Sequence, residues 1–154
     1  MTPGPARDAA PIPLGPFDLL GNVGTGGMAR VWRGVHRASG TEVAVKVLEG
    51  ALAFDQVFQD AFAGEVRAVA GLDHPGVVLV FDHGRIPASV DEASRGALKT
   101  DAPYLVMEYA GGGTLLEHPP ARWSQLRDVL SATLDALAHA HARGVIHRDI
   151  KGGN

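Results

Sequence analysis

Gly24, Gly26 and Gly27 fall within Gly24-x-Gly26-x-x-Ala29-x-Val31. Such a cluster lets backbone N–H groups approach a phosphate closely. Glycines are common in turns, so the cluster decides little by itself. A dinucleotide-binding loop would need a helix directly after the glycines and an acidic residue about 20 positions on. Here the alternating run Val31, Trp32, Arg33, Gly34, Val35 follows, which reads as a strand. Fifteen residues after Val31 stands Lys46, at the end of Val43-Ala44-Val45-Lys46. A lysine at that place could act as a point charge on phosphates, though alone it is an ordinary strand lysine in solvent. Glu65 lies 19 residues beyond Lys46, and taken alone is as readily a solvated helix glutamate. The last cluster is His147-Arg148-Asp149-Ile150-Lys151-Gly152-Gly153-Asn154.

The elements that would position these residues follow from periodicity. Phe17, Leu19 and Leu20 lead into the glycine cluster, and Ala38-Ser39-Gly40 signals a turn before the strand Val43–Leu48. Strand, glycine loop, strand, turn and strand make an antiparallel meander. Phe58, Phe62, Val66 and Val69 recur at helical spacing, predicting a helix over Gln56–Leu72 that His74-Pro75-Gly76 stops. Asp60 lies on the same helix as a competitor to Glu65, but the interval from Glu65 to His74 fits better. Val77–Phe81 and Tyr104–Met107 read as further strands, with Gly84–Pro103 between them as a polar, unpatterned surface loop. Gly111-Gly112-Gly113 marks a lobe boundary. Leu126, Val129, Leu130, Thr133, Leu134, Leu137, Ala138 and His141 share one face of a helix over Ser124–Arg143, with Ser124 as N-cap and Gly144 as stop.

Composition narrows the classes. The 154 residues are 45% hydrophobic and 20% charged, the profile of an ordinary packed domain. A net charge of −3 gives no reason to invoke nucleic acid or an anionic membrane surface. With no cysteine, disulfides and thiolate metal sites are excluded. Met1–Pro16 holds five prolines and no apolar core, so residues 1–16 read as a flexible Pro-rich leader rather than a signal peptide. No run approaches the ~18 apolar residues needed to span a bilayer. A cytoplasmic location is expected, with an anchor beyond Asn154 left open.

The cluster from His147 to Asn154 matches H-R-D-L-x-x-x-N at its fixed chemical positions. With the glycine loop, Lys46, Glu65, His74-Pro75 and the segment around Met107 in the same order, the chain resembles the eukaryotic-type bacterial serine/threonine protein kinases from about Phe17 to Asn154. That resemblance implies an α+β protein-kinase-like fold. Residues 17–110 would be an antiparallel small-lobe sheet with one helix, and 111–154 the start of a helical large lobe.

It also implies roles. ATP would lie under Val23, Gly24, Thr25, Gly26, Gly27, Met28, Ala29, Arg30 and Val31, against Ala44 and Lys46. Met107 would be the gatekeeper, and Glu108, Tyr109 and Ala110 the adenine-binding hinge. Lys46 would contact the α- and β-phosphates and pair with Glu65. Asp149 would accept or orient the proton of a Ser/Thr hydroxyl on a protein substrate, Lys151 would stabilise the γ-phosphate, and Asn154 would hold Mg2+. His147 and Arg148 would be structural, Arg148 also offering its charge to a phosphorylated activation loop. Ala29 replaces the third glycine, and Gly152 stands where relatives carry proline. The Asp-Phe-Gly, activation-loop and Ala-Pro-Glu segments expected after Asn154 are not in the chain. The reading is therefore of an incomplete sequence, inactive alone, whose parent is an ATP-dependent signalling kinase. Without later elements the apolar stripe of the last helix would stand exposed.

Blander readings cover the rest. His139 and His141 are two apart and point to different faces, unlike a helical metal pair. The stripe from Leu126 to Leu137 reads as core, and Trp32 and Trp123 as packing residues. The competing functions are a pseudokinase-like nucleotide-binding or scaffolding module and, disfavoured by the strand after the glycines, a Rossmann oxidoreductase.

Overall fold

The computed structural model describes residues 10–26 and 28–153. Gly27 and Asn154, both named above as candidate site residues, lie outside that range, as does most of the leader. Six strands form one antiparallel sheet: β1 (Ile12–Leu14), β2 (Phe17–Thr25), β3 (Ala29–His36), β4 (Glu42–Leu48), β5 (Val80–Arg85) and β6 (Pro103–Glu108), in spatial order β1-β2-β3-β4-β6-β5. Helices α1 (Gln56–Ala70), α2 (Ala88–Ala93) and α3 (Trp123–His141) complete the fold. An α+β kinase-like small lobe with the start of a helical lobe is what these elements build.

β4 lies inside the sheet because its β-branched run can be covered from both sides. Val43, Val45 and Val47 point one way into a core with Leu14, Phe17, Leu19, Trp32 and Val106. Ala44 and Lys46 alternate to the other face. Trp32 is a packing residue, as expected. α1 starts where Asp55 accepts a hydrogen bond from Phe58 N–H at 2.9 Å, an N-cap, and ends two residues before the predicted limit.

Several expectations need correction. Residues 12–14, assigned to the leader, form edge strand β1, with Ile12 opposite Leu19 and Leu14 opposite Phe17. An edge strand tolerates Pro13 because one side of its backbone has no partner to serve. The strand read at Val77–Phe81 begins only at Val80, since His74 ties residues 74–77 into a turn: its Nδ1 accepts Gly76 N–H and its carbonyl accepts Val77 N–H. Gly84–Pro103 is not a plain surface loop. It carries α2, and Ile86, Val90, Leu98 and Ala102 are buried in the same core as β4.

α3 also departs from expectation. It begins at Trp123, not after a Ser124 cap: the Gln125 side-chain oxygen accepts the Ala121 and Arg122 N–H groups at 3.0 and 3.2 Å. Gly144, at φ +76°, does close the helix, donating to His141 O. The stripe read as core is only partly covered: Leu126, Val129 and Leu137 are half-buried, while Leu130 is 48% and Leu134 64% exposed. Ala136 and Ala140 are the buried residues instead, and Trp123 is 73% exposed rather than packed. No helix among the described residues is long and apolar enough to cross a membrane.

Candidate active site

The glycine hairpin joins β2 to β3. Gly26 N–H donates to Ala29 O at 2.8 Å and Gly24 N–H to Asn22 Oδ1 at 2.9 Å. Register shifts between Leu19 and Gly21, and between Asn22 and Gly24, mark bulges that sharpen the local twist. A Cβ added at Gly24 would meet Val31 Cβ at 3.9 Å, and one at Gly26 would meet Ala29 O at 3.6 Å. Both are ordinary contacts, and neither glycine has a positive φ, so the chain's own packing does not demand glycine at either place.

Lys46 sits mid-sheet, in register with Val31 on β3 and Leu105 on β6. It is half-buried, and among the described residues it has no ion-pair or hydrogen-bond partner. Ala44 pairs with Met107, and Val43 with Glu108, so β4 sets Lys46 two residues from the position opposite Met107. Glu108 N–H donates to Leu79 O at 2.8 Å, holding the end of β6 to the segment before β5.

The sequence reading did not anticipate Arg33. Its guanidinium lies 5.7 Å from the Tyr109 ring centroid and is bonded to Glu42, its Nε donating at 3.0 Å. The Glu42 hydrogen bond raises the Arg33 pKa above the usual arginine value, and the guanidinium, cationic in any case, attracts the ring. Strand alternation was the available signal: Arg33 is two residues from Val31 and shares its face.

Glu65 does not reach Lys46 in this structure. The expected pair is open, and Glu65 Oε1 lies 3.9 Å from Arg148 Nη1, both side chains about three-quarters exposed. Arg148 has φ +64°, a left-handed conformation in a loop without regular structure. Beside it Asp149 N–H donates to His147 Nδ1 at 3.3 Å, and Lys151 Nζ donates to Asp149 Oδ2 at 2.9 Å. Leu116 N–H donates to Gly152 O at 3.1 Å, tying this loop to the segment after Gly111-Gly112-Gly113. The structure thus brings together Asp149 with Lys151, and Glu65 with Arg148. A separate groove of about 380 Å³, lined by Pro16, Phe17, His36, Thr41, Val43 and Phe81 among others, involves none of the candidate residues.

α3 is joined to the small lobe through His74. His74 Nε2 lies 3.0 Å from Asp135 Oδ2, and its ring is 5.1 Å from that of His139. Arg143 Nη1 is 3.2 Å from His139 Nδ1. Desolvation first, then the Arg143 charge and His74, push the His139 pKa below the usual histidine value. Among the described residues, no three ligand-type side chains gather as a metal site.

The protein kinase domain family model matches residues 17–154. The chain is 38% identical over 144 residues to a probable serine/threonine-protein kinase of Streptomyces coelicolor, covering 91% of this chain and 20% of that protein. It is 38% identical over 145 residues to serine/threonine-protein kinase PknA of Mycobacterium tuberculosis, covering 91% of this chain and 32% of that protein. The chain therefore spans between a fifth and a third of the length of these two relatives. The crystallised kinase domain of Mycobacterium tuberculosis PknI superposes with a TM-score of 0.73 at 25% identity, over 96% of this chain and 58% of that one. The motif order, the antiparallel small lobe and these likenesses agree: the chain belongs to the eukaryotic-type bacterial serine/threonine protein kinase family.

Proposed function

We propose that the complete gene product bearing this chain transfers the γ-phosphoryl group of ATP to Ser or Thr hydroxyls of a protein substrate. The observation that carries this reading is Lys46, a half-buried cation with no anionic partner among the described residues, one strand away from the glycine hairpin. Partial burial of an unpaired charge is unfavourable, so the site is suited to an external anion. Gly24 and Gly26, not required by the fold itself, leave room for that anion to approach the backbone.

In this reading Val23, Gly24, Thr25, Gly26, Gly27, Met28, Ala29, Arg30 and Val31 cover the nucleotide, with Ala44 and Met107 against the base and Glu108 to Ala110 bonding its edge. Lys46 neutralises phosphate charge. Asp149 orients the acceptor hydroxyl and takes its proton, while Lys151, already in contact with Asp149, stabilises charge on the transferred group. Asn154 would hold Mg2+, its amide oxygen being a hard donor of the kind that ion takes. When bound, the ion would neutralise phosphate charge. The domain limits follow, with the small lobe and hinge to residue 110 and the large lobe from 111.

The test is substitution of Lys46 by Met in the complete gene product. Removing one such electrostatic group lowers kcat by roughly 10²–10³-fold, with nucleotide affinity changed far less. An unchanged transfer rate from labelled ATP to a basic protein would sink the reading. The 154-residue polypeptide alone, having no Asp-Phe-Gly, is proposed to show no transfer in the same assay. One observation favours the non-catalytic alternative, a nucleotide-binding scaffold: Glu65 faces Arg148 rather than Lys46. In that case Lys46→Met would weaken ATP binding in a protein that never transferred phosphate.

A further inference from the structure

The connection between β5 and β6 is a closed unit. Its neck is shut by two backbone hydrogen bonds, Ile86 N–H to Ala102 O and Asp101 N–H to Ile86 O, each 2.9 Å. Inside it, the Asp91 carboxylate accepts both the N–H and the hydroxyl of Thr100, at 2.8 and 2.9 Å, and Ser94 Oγ accepts Leu98 N–H at 2.9 Å. Four buried apolar residues, Ile86, Val90, Leu98 and Ala102, fix it to the sheet core. Asp101 at the neck has φ +64°, a conformation costly for a non-glycine residue, which these bonds hold in place.

α1 reaches this unit through one side chain. Gln59 is the buried polar residue among the described ones, 6% exposed. Its Nε2 donates to Ala53 O at 2.7 Å, in the turn before α1, and lies 3.5 Å from Asp101 O at the neck. A buried amide is expensive unless bonded, so these carbonyls constrain where the first turns of α1 can sit. Glu65 is carried on the same helix.

We propose that the β5–β6 connection sets the position of α1, with Gln59 as the positioning residue that couples the connection to Glu65. The coupling rests on the kinase reading only where Glu65 is given a catalytic role; the mechanical link stands apart from it. Asp91 tests the link, because among the described residues its hydrogen bonds stay inside the connection.

The experiment is amide hydrogen exchange on the complete gene product, comparing the wild type with Asp91→Ala, Gln59→Met and the double variant. Loss of one such bond corresponds to about three- to tenfold faster exchange in residues 57–66. That acceleration is expected in Asp91→Ala as well as in Gln59→Met, with the double variant no faster than the larger single one. Should Asp91→Ala fail to fold, Thr100→Val removes only the hydroxyl bond and is expected to act in the same direction. Faster exchange confined to residues 86–102, or effects that add in the double variant, would overturn the proposal. In the same proteins kcat is expected to fall by a similar factor with the ATP KM little changed, and to be unaffected if Gln59 merely stabilises the helix. No transfer by the wild type would refute the kinase reading alone, and exchange would still decide the link.

Discussion

The sheet and the segment after the hinge solve different problems. Strands β1 to β4, β6 and the β5–β6 connection bury a shared core in which Val45 and Val106 are fully inaccessible. α3 and the loop after it bury little: Trp123, Leu134, Ile146 and Ile150 are all more than half exposed. Apolar burial is the main favourable term in folding, so the first region carries its own stability and the second leans on it. The candidate chemistry is divided along the same line. Lys46 is held by a strand locked on both sides, whereas Asp149 and Lys151 lie in an irregular loop held to its surroundings by bonds such as Leu116 to Gly152.

Truncation is the strongest way to test that contrast. Leu19 is 1% exposed in the core, and Leu19→Ala is expected to cost about 2–5 kcal/mol in urea unfolding. Leu134→Ala, on the uncovered face of α3, should stay within about 0.5 kcal/mol of the wild type. Equal losses at the two positions would mean that α3 is as firmly packed as the sheet, and the division would fail.

The glycines sharpen the comparison within the sheet itself. A Cβ at Gly34 would lie 2.9 Å from Asp18 O and 3.3 Å from Val43 Cγ2, so backbone would have to move. Gly34→Ala is expected to cost about 1–3 kcal/mol by overpacking. Gly26→Ala meets nothing closer than 3.6 Å and should leave the melting temperature nearly unchanged while weakening ATP binding in an equilibrium titration. A large stability loss at Gly26 would move that glycine from the site to the scaffold.

How much of this was legible in the sequence depends on the density of the signal. The β4 strand and α1 were readable because their apolar residues are consecutive or recur every three or four positions. The β5–β6 connection was not, since Ile86, Val90, Leu98 and Ala102 are isolated among polar residues and a periodic window dilutes them. β1 was hidden by Pro13 and the prolines around the strand, which suit a leader and an edge strand equally. At the site, motif order placed Lys46, Glu65 and Asp149 on the right elements. It did not tell which cation Glu65 would face, because that depends on how the helix and the loop lie in space rather than on spacing. Arg33 was passed over because its partner, Tyr109, is remote in sequence.

The smallest effect is expected at the joint between the two regions. His139 packs on His74, with Arg143, Asp73 and Asp135 also close enough to act on its charge. Desolvation lowers its folded pKa, so the unfolded chain binds the proton more readily. The sign follows: this contribution to stability is fully present above the ordinary histidine pKa of about 6.5, and it is lost as pH falls through the folded value. Amide exchange in α3 should therefore quicken as pH falls below about 6.5, after correction for intrinsic rates, while exchange in β4 and β6 stays unchanged. His139→Gln should flatten most of that dependence. A pH response shared equally by β4 would show the lobes opening as one unit, and would erase the distinction between them.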